Sequence, residues 1–407
     1  MKISLLNIIL IINFIILINE PLLGIDPFNR LRYNQYLYIA SFNEKYNDID
    51  SPALYNVYPE SDSTINIVFN SLAQIDDNIP NVKSGLILNG KFGNFTFLIE
   101  PILVNKVYGL SDLGANYSRN NFSGRFENSF IRYSNTNISI FLGRSALFWG
   151  QSLSNSIIHS GMYPAYDYIK LKYNFSQFSY DLFSGQLGSG KIGDGSRIKR
   201  NIGGHRIVYK INDKTRFSFG EQIIYTGVNR NVELIYLNPF VPFFFTGLEG
   251  DEESKEYDND NSIIFADFRY IYNSKYSIYS EFIIDDMQVD NTNVDNAVGY
   301  KIGFDGKIDN KDKNLYWIFE WTKISPWTYI HHGQFTSWEN RGHPIGYTYG
   351  PDSECAQIII NGSYRKINLS SNIGYLIKGE NNLETKWDNH STDLNSNQNR
   401  ILFGQIS

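Results

Sequence analysis

The stretch ISPWTYIHHGQFTSWENRGHPIGYTYGPDSE, residues 324–354, gathers Trp327, Tyr329, His331, His332, Trp338, Arg341, His343, Tyr347 and Tyr349. Flat aromatic faces beside imidazole, guanidinium and hydroxyl groups are what noncovalent recognition of a polar ring needs. The faces cover its apolar surface while the polar groups hydrogen-bond its substituents. The competing reading is that the rings pack the loop onto its scaffold. His331, His332 and His343 fit no established metal-ligand spacing, and no cofactor is expected. A second mixed stretch is GRSALFWGQSLSNSIIHS, residues 143–160. Its serines near His159 imitate a hydrolase dyad, but a serine nucleophile needs a positioned base, an orienting group and an oxyanion hole, and only proximity in sequence is present. GQLGSGKI, residues 185–192, imitates a phosphate-binding loop as far as Gly190-Lys191, yet Ile192 stands where Ser or Thr is required and no helix follows. The acidic run DEESKEYDNDN, residues 251–261, reads as a solvated loop before it reads as a cation site. A net charge of −6 argues against nucleic acid. What remains is noncovalent binding without catalysis.

These residues must be carried by a scaffold, and the chain of 407 residues shows no composition break after about residue 60 that would divide it. Its start, a single Lys2 followed by an apolar run from Leu5 to Ile18, predicts a secretory signal over residues 1–24, with an uncleaved anchor as the alternative. Residues 25–63 predict a periplasmic lead-in with room for one short helix, and 64–407 a single large domain. Aromatics make up 15% of the chain, more than a soluble core requires, and Cys355 is the only thiol, so disulfides do not hold an exported protein together.

Period-two alternation runs through the second half. In VGYKIGFDGKI, residues 298–308, Val298, Tyr300, Ile302, Phe304 and Ile308 share one face while Lys301, Asp305 and Lys307 share the other. Ile264, Ala266, Phe268 and Tyr270 likewise oppose Asp267 and Arg269. Expected long loops fall at 72–81, 102–124, 145–164, 187–201, 226–261, 287–296, 324–354 and 379–398. Short turns fall between them, at 91–93, 134–136, 173–176, 212–214, 273–275, 309–313 and 366–368. Alternation of short turns with long loops predicts an up-and-down transmembrane barrel of 16 strands, 18 being acceptable, with lipid outside and water within. Residues pointing into the lumen are then Arg206, Lys210, Asp267, Arg269, Glu281, Asp285, Lys301, Asp305, Glu320 and Arg365. A charge facing lipid near the midplane costs about 2–4 kcal/mol, which decides the inward assignment. Cross-strand ion pairs account for them. Glu221 is the exception: alternation from Phe217 and Phe219 aims it at lipid, so a bulge or a rim position is expected there. Two loops are too apolar for water. Leu147-Phe148-Trp149 and VELIYLNPFVPFFF, residues 232–245, should fold inward or pack at the barrel mouth.

At this point the sequence resembles the capsule assembly proteins called Wzi. The resemblance lies in Gly143-Arg144 followed by Trp149-Gly150 and the serine-rich run to Ser160. It continues in Glu221 before Tyr236-Leu237-Asn238-Pro239, and in Gly342-His343-Pro344 with Gly350-Pro351-Asp352. It implies an 18-stranded outer-membrane barrel that holds capsular or other surface polysaccharide at the cell surface, without catalysis. Aromatic and polar side chains of the 324–354 loop, namely Trp327, Tyr329, His331, Trp338, Arg341, His343 and Tyr347, are then candidate glycan contacts. Members that this chain resembles carry a periplasmic helical bundle ahead of the barrel, for which residues 25–63 leave no room. The rival readings are a porin-like channel and an outer-membrane hydrolase.

Overall fold

The computed structural model describes residues 64–406 except 77–78, 105–116, 120–121, 153, 194, 229, 244–258, 274, 287–295, 311–312, 332–334, 365–366 and 386–397. The expected signal and lead-in, His332, Arg365 and most of the acidic run therefore lie outside the described residues.

Sixteen long strands follow one another: Thr64–Asp76, Ile79–Phe92, Phe95–Val104, Phe122–Ser134, Ile138–Ser145, Tyr166–Phe175, Phe178–Gln186, Arg197–Asn212, Thr215–Val228, Asn259–Tyr272, Tyr276–Asp286, Ala297–Asn310, Lys313–Ile324, Ser353–Tyr364, Ile367–Lys378 and Asn399–Ile406. Each pairs antiparallel with the next. Tyr117–Arg119 and Gly190–Lys191 add short external segments, bringing the sheet to 18. The sixteen strands expected from alternation are thus the sixteen long ones among the described residues. One loop differs from expectation. The first two strands pair as far as Asp76↔Ile79, so the connection expected to be long at 72–81 is as short as the turns at the opposite end.

Parity along each strand decides what faces where. In Tyr166–Phe175 residues alternate buried and exposed from Tyr166 to Tyr173. Outward positions such as Ile207, Phe219, Phe282, Ile302 and Ile358 leave apolar side chains open, as a lipid-facing band does. Inward positions meet in one apolar cluster drawn from strands all round the sheet, from Ile87 and Leu98 through Phe183, Ile224 and Phe265 to Leu376, with Phe403 of the last strand packed against it. A sheet whose second and last strands share one interior is curled on itself. The fold is an up-and-down antiparallel β-barrel, and its lumen is filled rather than open.

Candidate functional site

The loop after Ile138–Ser145 fills much of that lumen. Leu147, Trp149, Ile157, Ile158 and Tyr163 are fully buried in the central cluster. Trp149 lies edge-on to Phe183 at 4.9 Å, with the Arg206 guanidinium over its ring at 4.8 Å. Burying a large apolar side chain of this kind contributes about 1.5–3 kcal/mol. The loop also carries serine and backbone donors, which cannot be left unpaired away from water. The wall supplies acceptors. Glu281 receives the backbone N–H groups of Gln151 (2.6 Å), Ser152 (2.6 Å) and Ile157 (2.8 Å). Glu320 receives the Ser152 hydroxyl at 2.5 Å and the Ser154 hydroxyl, together with Tyr279 at 2.5 Å and Gln357 at 3.0 Å. Lys301 balances it at 3.3 Å and donates to the Asn155 carbonyl at 2.5 Å. Gln151 reaches Asp267, and Arg216 and Arg269 reach Gln151. Gly150 permits the approach: its φ is +126°, and a side chain there would strike Ser156 and Glu281.

His159 is sealed inside this loop, its Nδ1 2.8 Å from the Tyr163 hydroxyl. Burial, reinforced by the charges of Arg206 and Lys170, lowers its pKa to about 3. Ser152 and Ser154 bind Glu320 instead of this imidazole, so the dyad imitated by the sequence does not form.

The loop between Ile324 and Ser353 lies over the first. Tyr329 donates to the Ile157 carbonyl at 2.5 Å, the Ser160 N–H donates to the Ile345 carbonyl at 2.9 Å, and Asn340 donates to the Pro164 carbonyl at 2.6 Å. Arg200 is also buried. It donates to the Phe335 and Ser337 carbonyls and pairs with Glu339. Asp285 accepts the Tyr329 backbone N–H, so this lumen charge also serves a loop.

Of the candidate glycan contacts, Trp327, Tyr329, Trp338 and Tyr347 are buried in packing, and no ring face among them is left open to a ligand. Burial raises the Tyr329 and Tyr347 hydroxyl pKa values well above the usual range. His331, Arg341 and His343 keep partial exposure. Arg341 and Gly342, at φ +57° and +82°, form the two-residue turn between Glu339–Asn340 and His343–Pro344, the geometry that tight hairpins favour. Burial and then the charges of Arg144 and Arg125 lower the Arg341 pKa, partly offset by Asp167 and Glu339.

The residues behind the family resemblance divide between inside and outside. Trp149 and Gly150 belong to the lumen loop. Gly350, Pro351 and Asp352 close the second loop, where Asp352 at φ +51° accepts the Asn381 N–H at 3.1 Å. Arg144 forks onto Asp167 on the outward face of the rim. Tyr236, Asn238 and Pro239 also lie on the outer face, so residues 232–243 do not enter the mouth as expected. Glu221 sits on regular strand without a bulge; it faces outward, pairs with His205 at 2.9 Å, and is covered by that same segment. Among the expected lumen charges, Arg206 pairs with Asp181 at 2.7 Å and Arg269 with Asp305, while Glu281 and Glu320 are spent chiefly on the loop. The alternation that placed Glu281 and Glu320 on the polar face of their strands carried no sign of this task, because the loop groups they hold lie more than 100 residues away.

No curated protein sequence matches the chain. Among solved structures, it is similar to Wzi of Escherichia coli, described as an outer membrane protein involved in group 1 capsule assembly and as a carbohydrate-binding β-barrel. That similarity has a TM-score of 0.57 and 13% identity, and covers 87% of this chain and 85% of that one. Weaker similarities reach OmpT of Vibrio cholerae (TM-score 0.39, 11% identity, 85% and 99% covered) and an anion-selective porin of Comamonas acidovorans (TM-score 0.39, 12% identity, 77% and 89% covered). Residues 74–396 match the family described as Capsule assembly protein Wzi. With a lipid-facing barrel and that match over most of its length, this outer-membrane chain belongs to the capsule assembly protein Wzi family.

Proposed function

We propose that the chain retains or organises surface polysaccharide through noncovalent contacts of its external loops. The observation that carries this reading is the mouth itself: two loops are sewn to each other and to the wall, filling the lumen and leaving His331, Arg341 and His343 at the surface. Cationic and imidazole groups there suit the hydroxyl and carboxylate groups of a glycan. Many copies facing one repeating polymer hold it by avidity, so each contact can be weak. The buried tryptophans and tyrosines act one step behind, fixing the backbone that presents these groups.

The same geometry argues against a diffusion channel, since the path a solute would take is occupied by Trp149 and its neighbours. It also argues against hydrolysis. Ser152→Ala and Ser154→Ala should weaken the Glu320 latch without abolishing any chemistry.

The test is deletion of the gene in a host that makes the polysaccharide, followed by assay of polymer shed into the medium against polymer kept on cells. Shedding, restored to retention by the wild-type gene and only partly by Arg341→Ala combined with His343→Ala, is the expected result. Unchanged retention in the deletion strain overturns the reading.

A further inference from the structure

Residues 230–243 leave the external end of Thr215–Val228 and turn down the outside of the wall. Parity fixes the side: His205, Glu221, Ile223 and Tyr225 alternate with the inward Arg206, Gln222 and Ile224, and they share a face with the exposed Ile207 and Phe219. The segment is fastened there. Arg230 bridges Glu233 and Asp260, the Tyr236 ring packs 4.4 Å from that of Tyr225 at a 35° tilt and its hydroxyl donates to Asp260, and Phe243 covers His205 at 4.5 Å. The Pro239 carbonyl accepts from the Tyr180 hydroxyl at 3.1 Å. Tyr180 is two residues along its strand from the short-turn pair Phe175↔Phe178, so the segment descends along the wall instead of standing above it.

Two further features single it out. Beneath it lies the His205–Glu221 pair, which would otherwise face lipid directly. On top it exposes Leu234 (81%) and Phe240 (90%), continuous with the apolar band of the barrel. Its backbone also asks little of water. Pro239 and Pro242 carry no N–H, while those of Glu233, Asn238 and Phe240 donate to the Tyr225 hydroxyl, the Ile235 carbonyl and the Asn238 side chain. Backbone at membrane depth is tolerated when its polar groups are met by protein.

We propose that residues 232–243 form a lipid anchor on the outer wall of the barrel. Leu234 and Phe240 insert among lipid acyl chains, and the underside seals the His205–Glu221 pair from the bilayer. The partner is lipid, the occupant already in contact with the adjoining band.

The experiment places nitroxides at Leu234→Cys and Phe240→Cys, in a Cys355→Ala background and in phosphatidylcholine vesicles, and compares relaxation by oxygen with relaxation by a water-soluble nickel chelate. Ile207→Cys serves as the lipid standard and Gly193→Cys, in open space, as the aqueous one. Oxygen-dominated relaxation at 234 and 240, matching 207, is expected; Val232→Cys and Pro242→Cys replace either site that fails to fold. Nickel-dominated relaxation matching 193 overturns the proposal. Broadening between labels that vanishes on dilution with unlabelled protein also overturns it, assigning the surface to a second copy.

Discussion

The loop 146–165 and the segment 230–243 leave neighbouring parts of one barrel, and both are too apolar for water, yet one goes in and the other goes out. The difference lies in their donors. The first is rich in serine, glycine and free N–H groups, which a lumen furnished with Glu281, Glu320 and Asp267 can satisfy. The second carries two prolines, and several of its remaining N–H groups are met within itself or by Tyr225, so it can lie on a lipid-facing wall. Apolar content drives burial of both; hydrogen-bond demand selects the side.

The comparison breaks most severely at Glu320. Glu320→Ala strands Lys301 in the lumen and releases both serines. A loss of about 3–5 kcal/mol is expected, as for breaking any buried pair by removing one partner, read as earlier unfolding in detergent. Next is acid. His159 stays neutral when folded because its pKa is lowered to about 3, whereas the unfolded chain protonates it near 6.5. The unfolded state therefore binds more protons in that window, and stability falls from pH 6.5 towards 3, at up to about 1.4 kcal/mol per unit. His159→Gln should flatten this part of the wild-type pH dependence. Gly150→Ala, forced to keep φ +126° against Ser156 and Glu281, should cost about 1–3 kcal/mol and loosen the inner loop. Smallest is Tyr236→Phe, which loses one hydrogen bond to Asp260 outside the barrel. About 1–2 kcal/mol is expected, with no change inside the lumen.

Much of this was legible in residue order. Alternation located the strands and the short turns because a pleated strand with lipid on one face favours apolar groups there. The first connection was misplaced since residues 72–81 hold no run of consistent parity to mark paired strands. Glu221 does face outward, but the bulge or rim position inferred to accommodate it was unnecessary, because it pairs with His205, over which the distant Phe243 packs. The burial of the candidate rings was hidden for a similar reason. Trp338 and Tyr347 look like ligand platforms in one dimension but pack in the cluster that the loop from 145 to 165 joins, and Trp327 packs against Ala297 and Ile330.

Planar-bilayer conductance tests the central claim most directly, comparing wild type with Glu281→Ala combined with Glu320→Ala. A lumen filled by a loop that these carboxylates hold predicts no large steady current from the wild type and open-channel steps from the double variant. Large steady currents from the wild-type barrel would contradict it.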